Sequence, residues 1–284
     1  MKFPNLSYAR PNTLADAFRL LSDNEDSRPL AGGQSLLPMM ALRVASPGLL
    51  VDLQSLEDLM AIEETDDGLR IGAMVTHDRN SRSDLIRRRT PLLFEALGHV
   101  AHQAIRNRGT IGGSIAHADG AAEMPLVVLA LDAVMVIQGL QGTRDVPASE
   151  FFEGFYSTAV RQGELLTHIV IPDNRMSWAF EEVARRPGDF ALAMVAVGLE
   201  MNGAVCTDAT IVVGGVSDRP VRADAACDYL LGKSLDRATA RAAASMALDG
   251  IRVRSDVHAK GDYRTKLVQE LVARALSRAG GIDD

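Results

Sequence analysis

The stretch TIGGSIAHADGAAEMPLVVLALDAVMVI, residues 110–137, sets a glycine pair, a histidine and two acids ahead of a long apolar run. The apolar run is too polar-poor to show a single periodicity. Its Val/Met/Ile end favours a strand while its start suits a helix, so a helix-to-strand switch is predicted near Asp132. A second run, AGGQSLLP at residues 31–38, repeats the glycine pattern: a short extended piece passes through Gly-Gly into a compact apolar turn. Two glycine loops lying between strand-like segments suggest an α/β layer that offers main chain to a ligand.

The flanking chain extends this layout. Residues 13–22 read as a helix, with Asn12 or Thr13 as the cap and Leu14, Ala17, Phe18 and Leu21 at helical spacing. GLLVDLQSL and Leu69 to Met74 read as strands, a helix is expected to start near Thr76 or Asp78, and Pro91 to Ala101 is predicted helical. ELLTHIVIP is a strand closed by Pro172. Beyond it SWAFEEVARR, ALAMVAVGLEMNG and VCTDATIVVGGV predict a three-stranded antiparallel sheet, its last two strands joined by an Asn-Gly hairpin. The Ala-rich stretch from Ala223 to Leu248 and the final YRTKLVQELVARALSRA are predicted as amphipathic helices. The fold class expected is α+β, divided at residues 1–56, 57–172 and 173–284.

Composition narrows the function. The 284 residues are 47% hydrophobic, enough for two or three cored modules. A net charge of −7 without a basic block argues against nucleic acid as a partner. The longest apolar run contains Asp132, and the N-terminal residues show no signal-peptide pattern, so no transmembrane segment is expected and the cytoplasm is the expected location. Cys206 and Cys227 form no CxxC pair, so an iron–sulfur cluster or a thiolate zinc site would have to sit on another polypeptide.

Residue types that carry chemistry are sparse. Glycine pairs let the backbone approach an anion and aim N–H groups at it, although a single pair more often serves a turn. Neither run fits GxGxxG, which disfavours a doubly wound dinucleotide fold, and CDYLLGKS lacks the first glycine of a P-loop. His99 and His102 form HxxH and His117 with Asp119 forms HxD, but no third ligand has suitable spacing, so no metal is expected. His77 reads as a helix-start residue rather than a base. No nucleophile–base set can be assembled, so no catalytic residue is assigned.

LAGGQSLLPMMALR, IRNRGTIGGSIAHADGAAEMP, ELLTHIVIP and ARRPGDFA, in this order and spacing, resemble the FAD-binding medium subunit of the molybdenum hydroxylases, relatives of which include the flavoprotein of aerobic carbon monoxide dehydrogenase and the flavin domain of xanthine dehydrogenase. The resemblance covers essentially the whole chain. It implies a two-subdomain flavin domain of the vanillyl-alcohol oxidase type followed by a small C-terminal domain. By the same resemblance Ala31, Gly32, Gly33, Gln34, Ser35 and Leu36 hold the FAD pyrophosphate, and Thr110, Ile111, Gly112, Gly113 and Ser114 lie against the cofactor. Glu123 falls on an acid contacting the flavin side, Leu166 on an apolar position near the adenine, and Phe190 on an aromatic beside the isoalloxazine ring.

The implied activity is electron transfer. A molybdenum-bearing large subunit would oxidise the substrate, a small subunit with two two-iron two-sulfur clusters would relay electrons, and FAD on this chain would pass them on, in a dimer of heterotrimers. A stand-alone flavoprotein oxidase or reductase of the same flavin superfamily, using His77 or His117 as a covalent anchor or base, is the alternative, and a scaffold that has lost FAD is a third reading. Ser114 and Gly120 replace the family's more usual Asn and Pro, Phe190 lacks the hydroxyl of a Tyr, and Glu181 stands where xanthine dehydrogenases have a lysine, so NAD use does not carry over. A valine at Gly33 or Gly112 is expected to obstruct the backbone's approach to phosphate.

Overall fold

The computed structural model describes residues 5–282. The first region runs β1 (Ser7–Ala9), α1 (Leu14–Asp23), β2 (Ser27–Leu30), α2 (Leu36–Ala41) and β3 (Leu49–Asp52), with the strands in a parallel sheet of order β1-β3-β2. Helix α1 forms where predicted: the Thr13 hydroxyl accepts the Asp16 N–H, and Ala17, Phe18 and Leu21 turn inward. The expected apolar turn after the first glycine pair is the short helix α2.

The second region runs β4 (Ile62–Thr65), β5 (Gly68–Gly72), α3 (His77–Ser81), α4 (Asp84–Arg89), α5 (Pro91–Leu97), α6 (Gln103–Arg106), α7 (Ile111–His117), α8 (Glu123–Ala130), β6 (Val134–Gly139), β7 (Gly142–Pro147), α9 (Ala148–Phe151), β8 (Phe152–Gly154), β9 (Ser157–Thr158) and β10 (Leu165–Ile171). Its five-stranded sheet has the order β4-β5-β10-β6-β7, with antiparallel neighbours throughout. The predicted switch is present: α8 ends at Ala130, Asp132 takes a left-handed φ of 49°, and β6 begins at Val134. Helix α8 is buried all round, which is why its residues show no amphipathic period. Helix α5 stops at Leu97, short of the expected Ala101, because Gly98 caps it and Ala101 adopts a φ of 41°.

The last region holds β11 (Ser177–Ala184), β12 (Ala191–Asn202), β13 (Val205–Gly214), β14 (Val221–Arg222), α10 (Asp224–Leu230), α11 (Arg237–Met246) and α12 (Gly261–Gly280). The expectation of a three-stranded sheet is corrected: the sheet has four strands in the order β11-β12-β13-β14. The fourth pairs only Arg222 with Val212 and Val221 with Val213, too short a segment to carry a period-two pattern. The Asn-Gly turn is as expected, with Gly203 at a φ of 60°. The Ala-rich stretch is two helices rather than one continuous span, parted at Gly232, whose φ is 73°.

The four-stranded sheet has two greasy faces. Ala179, Ala193, Val195, Val197, Ile211 and Val213 pack under α12, while Phe180, Met194, Ala196 and Val212 join the core of α5 and α8. The principal core therefore draws on both the second region and the last. Arg264, only 1% exposed, ties the far side: it donates to the carbonyls of Leu192 and Gly215, the latter at 2.8 Å, and to Asp256 at 2.6 Å. Burial pushes the Asp256 carboxyl upward, but the Arg264 hydrogen bond and the N–H groups of His258 and Ala259 outweigh it and hold the group below the usual carboxylate range.

Candidate cofactor site

A cavity of about 570 Å³ lies where the parallel sheet, the five-stranded sheet and the β11–β12 loop meet. Every residue expected at the cofactor lines it except Ile111, which is fully buried in the core. The first loop is held between β2 and α2, and Gly33 takes a φ of 71°. Its successive N–H groups at Gly33, Gln34, Ser35 and Leu36 meet no main-chain acceptor among the described residues, whereas the next donor, Leu37, bonds Gly33 at 3.2 Å. A run of free N–H groups at a cavity wall suits phosphate oxygens.

The second loop is built differently. The N–H of Ile111 bonds Val75 at 3.0 Å and that of Gly112 bonds Ala73 at 3.0 Å. The Thr110 hydroxyl caps Gly113 at 3.0 Å, and Ser114 bonds the Thr110 carbonyl at 3.0 Å. These donors are spent inside the protein, so this segment is the start of α7 and can offer hydroxyls and close backbone contact rather than amides. A β-carbon on Gly112 would stand 2.3 Å from the Ala73 β-carbon, colliding with a buried neighbour of the same protein. One on Gly32 would stand 2.1 Å from the Arg108 carbonyl oxygen, so that glycine lets the two loops touch. Room between protein segments, not room for phosphate, is what Gly32 and Gly112 supply.

Charge in the wall is sparse. Arg28 is the only lysine or arginine lining it among the described residues, against Asp119, Glu123, Glu164 and Asp189. Glu123 opens α8 and is 8% exposed; burial, reinforced by the Asp119 charge, pushes its carboxyl up to about 7. Leu166 sits at a bulge of β10, where the strand's register against β6 shifts. Phe190, 64% exposed, leaves an aromatic face free at the mouth beside Gly188, whose φ of 83° turns the chain.

The histidines do not form a metal centre among the described residues. His117 ends α7 with its ring 4.9 Å from that of Tyr156, and Asp119 accepts the Ala121 N–H at 2.9 Å and the Tyr156 hydroxyl at 3.4 Å. His99 rests 5.0 Å from the Phe180 ring. His77 is a helix-start residue as expected, yet it also lines the cavity; burial first, and Arg106 second, lower its imidazole to about 4, and its Nδ1 has no partner. Tyr156 was not singled out as a wall residue: it comes from a tight turn whose sequence carries no ligand signal. Glu181 lies outside the wall, paired with Arg278 at 2.6 Å on the side of α12.

The donor run, the apolar walls and the free aromatic fit a large, flat cofactor whose diphosphate is met by main-chain N–H groups rather than by cations. Comparison with known proteins agrees. Residues 4–174 match the family described as FAD binding domain in molybdopterin dehydrogenase, and residues 178–279 match the CO dehydrogenase flavoprotein C-terminal domain. The chain is 42% identical to the nicotine 6-hydroxylase medium subunit of Paenarthrobacter nicotinovorans, covering 99% of both chains. It is 38% identical to the carbon monoxide dehydrogenase medium chain of Afipia carboxidovorans, covering 97% of this chain and 96% of that one. A chain in the crystal structure of quinoline 2-oxidoreductase from Pseudomonas putida 86 superposes with a TM-score of 0.97 at 44% identity, covering 99% of each. The chain thus belongs to the family of FAD-binding medium subunits of the molybdenum hydroxylases, flavoprotein components of oxidoreductases whose molybdenum and iron–sulfur centres reside on companion subunits.

Proposed function

We propose that the chain is the electron-transfer subunit of a cytosolic molybdenum hydroxylase, arranged as a dimer of heterotrimers, that takes electrons from clusters on a small subunit and passes them to a terminal acceptor. The FAD supplies the redox chemistry when bound; the protein supplies binding, orientation and electrostatics. The single observation that carries this reading is the run of N–H groups from Gly33 to Leu36, which meet no main-chain acceptor among the described residues, in a segment that lines the cavity beside a second glycine segment. In it Ala31, Gly32, Gly33, Gln34, Ser35 and Leu36 hold the diphosphate, with Thr110 and Ser114 adding hydroxyls and Gly112 and Gly113 close contact. Ile111 anchors that segment from the core side. Glu123 meets the flavin half, Leu166 the adenine half, and Phe190 stacks on the ring. The layout proposed is a two-subdomain flavin unit of the vanillyl-alcohol oxidase type, residues 1–56 and 57–172, with a C-terminal domain, residues 173–284.

The division of labour follows from chemistry on the chain. Cys206 and Cys227 are both buried and free, and burial pushes the Cys227 thiol up to about 11, which suits neither a metal ligand nor a nucleophile. Purification from the native host tests the reading: bound FAD together with molybdenum, iron and two further polypeptides is expected. A flavin-loaded chain that travels alone would favour the stand-alone oxidase, and failure to bind added FAD would remove the flavin reading altogether.

A further inference from the structure

His77 lines the cofactor cavity, and the fold leaves its side chain without a partner. Its backbone is fixed: the Thr76 hydroxyl caps α3, Thr76 pairs with Thr110 in an antiparallel bridge, and the His77 N–H bonds the Gly109 carbonyl at 2.9 Å. The imidazole lies over Gly109, where an added β-carbon would stand 3.1 Å from Cδ2 and 3.6 Å from Nε2. Gly109 in turn touches the first loop, since a β-carbon on Gly32 would stand 2.8 Å from the Gly109 Cα. In the other direction Arg106, whose charge acts on the His77 ring, binds the carbonyls of Val100 and Ala101 at 2.8 and 2.9 Å. A β-carbon on Gly188 would stand 2.9 Å from that same Ala101 oxygen, which brings the wall to Phe190. His77 therefore stands between the donor run of the first loop and the free aromatic at the mouth.

Only one end of the ring is open. Nδ1 is sealed without a hydrogen bond, and the side chain, 4% exposed, makes none elsewhere among the described residues, so Nε2 is the polar atom left to the cavity. A neutral imidazole carries one N–H and one lone pair. With Nδ1 dry, the proton belongs on Nε2, the nitrogen that can find an acceptor. We propose that His77 is a cofactor-binding residue whose Nε2–H donates to an uncharged oxygen of the flavin half of FAD, the ribityl and ring portion that follows the diphosphate. The inference rests on the reading of this cavity as the FAD site. An uncharged acceptor matches the donor: burial, and then the Arg106 charge, lower the imidazole to about 4, which leaves the diphosphate to the main-chain run at Gly33 to Leu36. The charged neighbours on α3 are engaged elsewhere, Asp78 with Arg82 and Gln103, and Arg79 with the Met60 carbonyl.

Calorimetry of the flavin-free full chain with FAD and with ADP, which shares the adenine and diphosphate but lacks the flavin half, tests the contact. His77→Phe keeps a ring and removes the donor: FAD affinity is expected to fall about tenfold while ADP affinity stays within about twofold. His77→Gln, whose amide nitrogen can take the place of Nε2, should restore most of the FAD affinity. NMR of isotope-labelled histidine in the wild type should show a protonated Nε2 and a bare Nδ1, with the Nε2–H signal displaced by FAD and not by ADP. This arm needs no substitution and decides the matter if His77→Phe does not fold. Unchanged FAD binding in His77→Phe, an equal loss for FAD and ADP in a folded variant, a proton on Nδ1, or an Nε2–H signal that FAD leaves unmoved would overturn the proposal. A wild-type chain that binds neither nucleotide would defeat the cofactor reading itself, whereas one that binds FAD equally well with or without the imidazole would defeat this contact alone.

Discussion

The two glycine segments look alike in sequence and differ in how their backbones are employed. Between β2 and α2 the amides of Gly33 to Leu36 meet no main-chain acceptor among the described residues, while at the start of α7 every amide from Ile111 to Ser114 has a partner within the protein. One segment is an open donor array and the other is a wedge driven into the core under a capping threonine. The same dipeptide therefore answers two physical demands, free hydrogen-bond donors in one case and close packing in the other.

The sharpest way to break this contrast is Gly112→Val. Its β-carbon must displace Ala73, so the flavin-free protein is expected to lose about 3 kcal/mol or more, measured by denaturant unfolding, with flavin lost as a consequence. Wild-type stability of the flavin-free variant would show that this glycine serves the ligand after all. Next comes pH, because the second segment leads straight into the buried Glu123. An acid raised from 4.5 to about 7 keeps its proton in the folded state after the unfolded state has released it. Stability of the flavin-free protein should therefore fall as pH rises from about 4.5 to about 7, by on the order of 3 kcal/mol, and the fall should shrink in Glu123→Gln. A flat profile would mean that water reaches the carboxyl.

The open array is probed by Leu36→Pro, which deletes one donor at the first position of α2, where proline is tolerated. FAD affinity is expected to drop about tenfold to a hundredfold, the value of a hydrogen bond to a charged group, with little change in unfolding of the flavin-free protein. Equal affinity in fluorescence titration would move the diphosphate elsewhere. The smallest effect is expected from Thr110→Val, which uncaps Gly113 and costs about 1 kcal/mol of stability; an unchanged melting temperature would show that the cap is replaced.

What could be read from the sequence follows local physics. The helix at Leu14–Asp23 and the break at Asp132 were legible because a capping side chain and a change in residue type mark them in the chain itself. Strand β14 was not, since two residues carry no alternation. Residues Ala31 to Leu36 line the cavity, but the saturation of the Ile111–Ser114 amides depends on Ala73 and Val75, which meet them only after folding. Tyr156 escaped notice for the same reason: its neighbours are distant in sequence, and no spacing announces it.

Gly215 donates its N–H to Gly120 at 2.8 Å and accepts from Arg264 on its carbonyl at 2.8 Å. Phe180, Met194 and Val212 meanwhile complete the core around α8. Two recognisable sequence modules are consequently expected to unfold together. Severing the chain near residue 175 would not release a working half; it would strip the roof from a hydrophobic interior, and the fragments would be expected to clump or be digested unless expressed together, when they could reassemble across the cut.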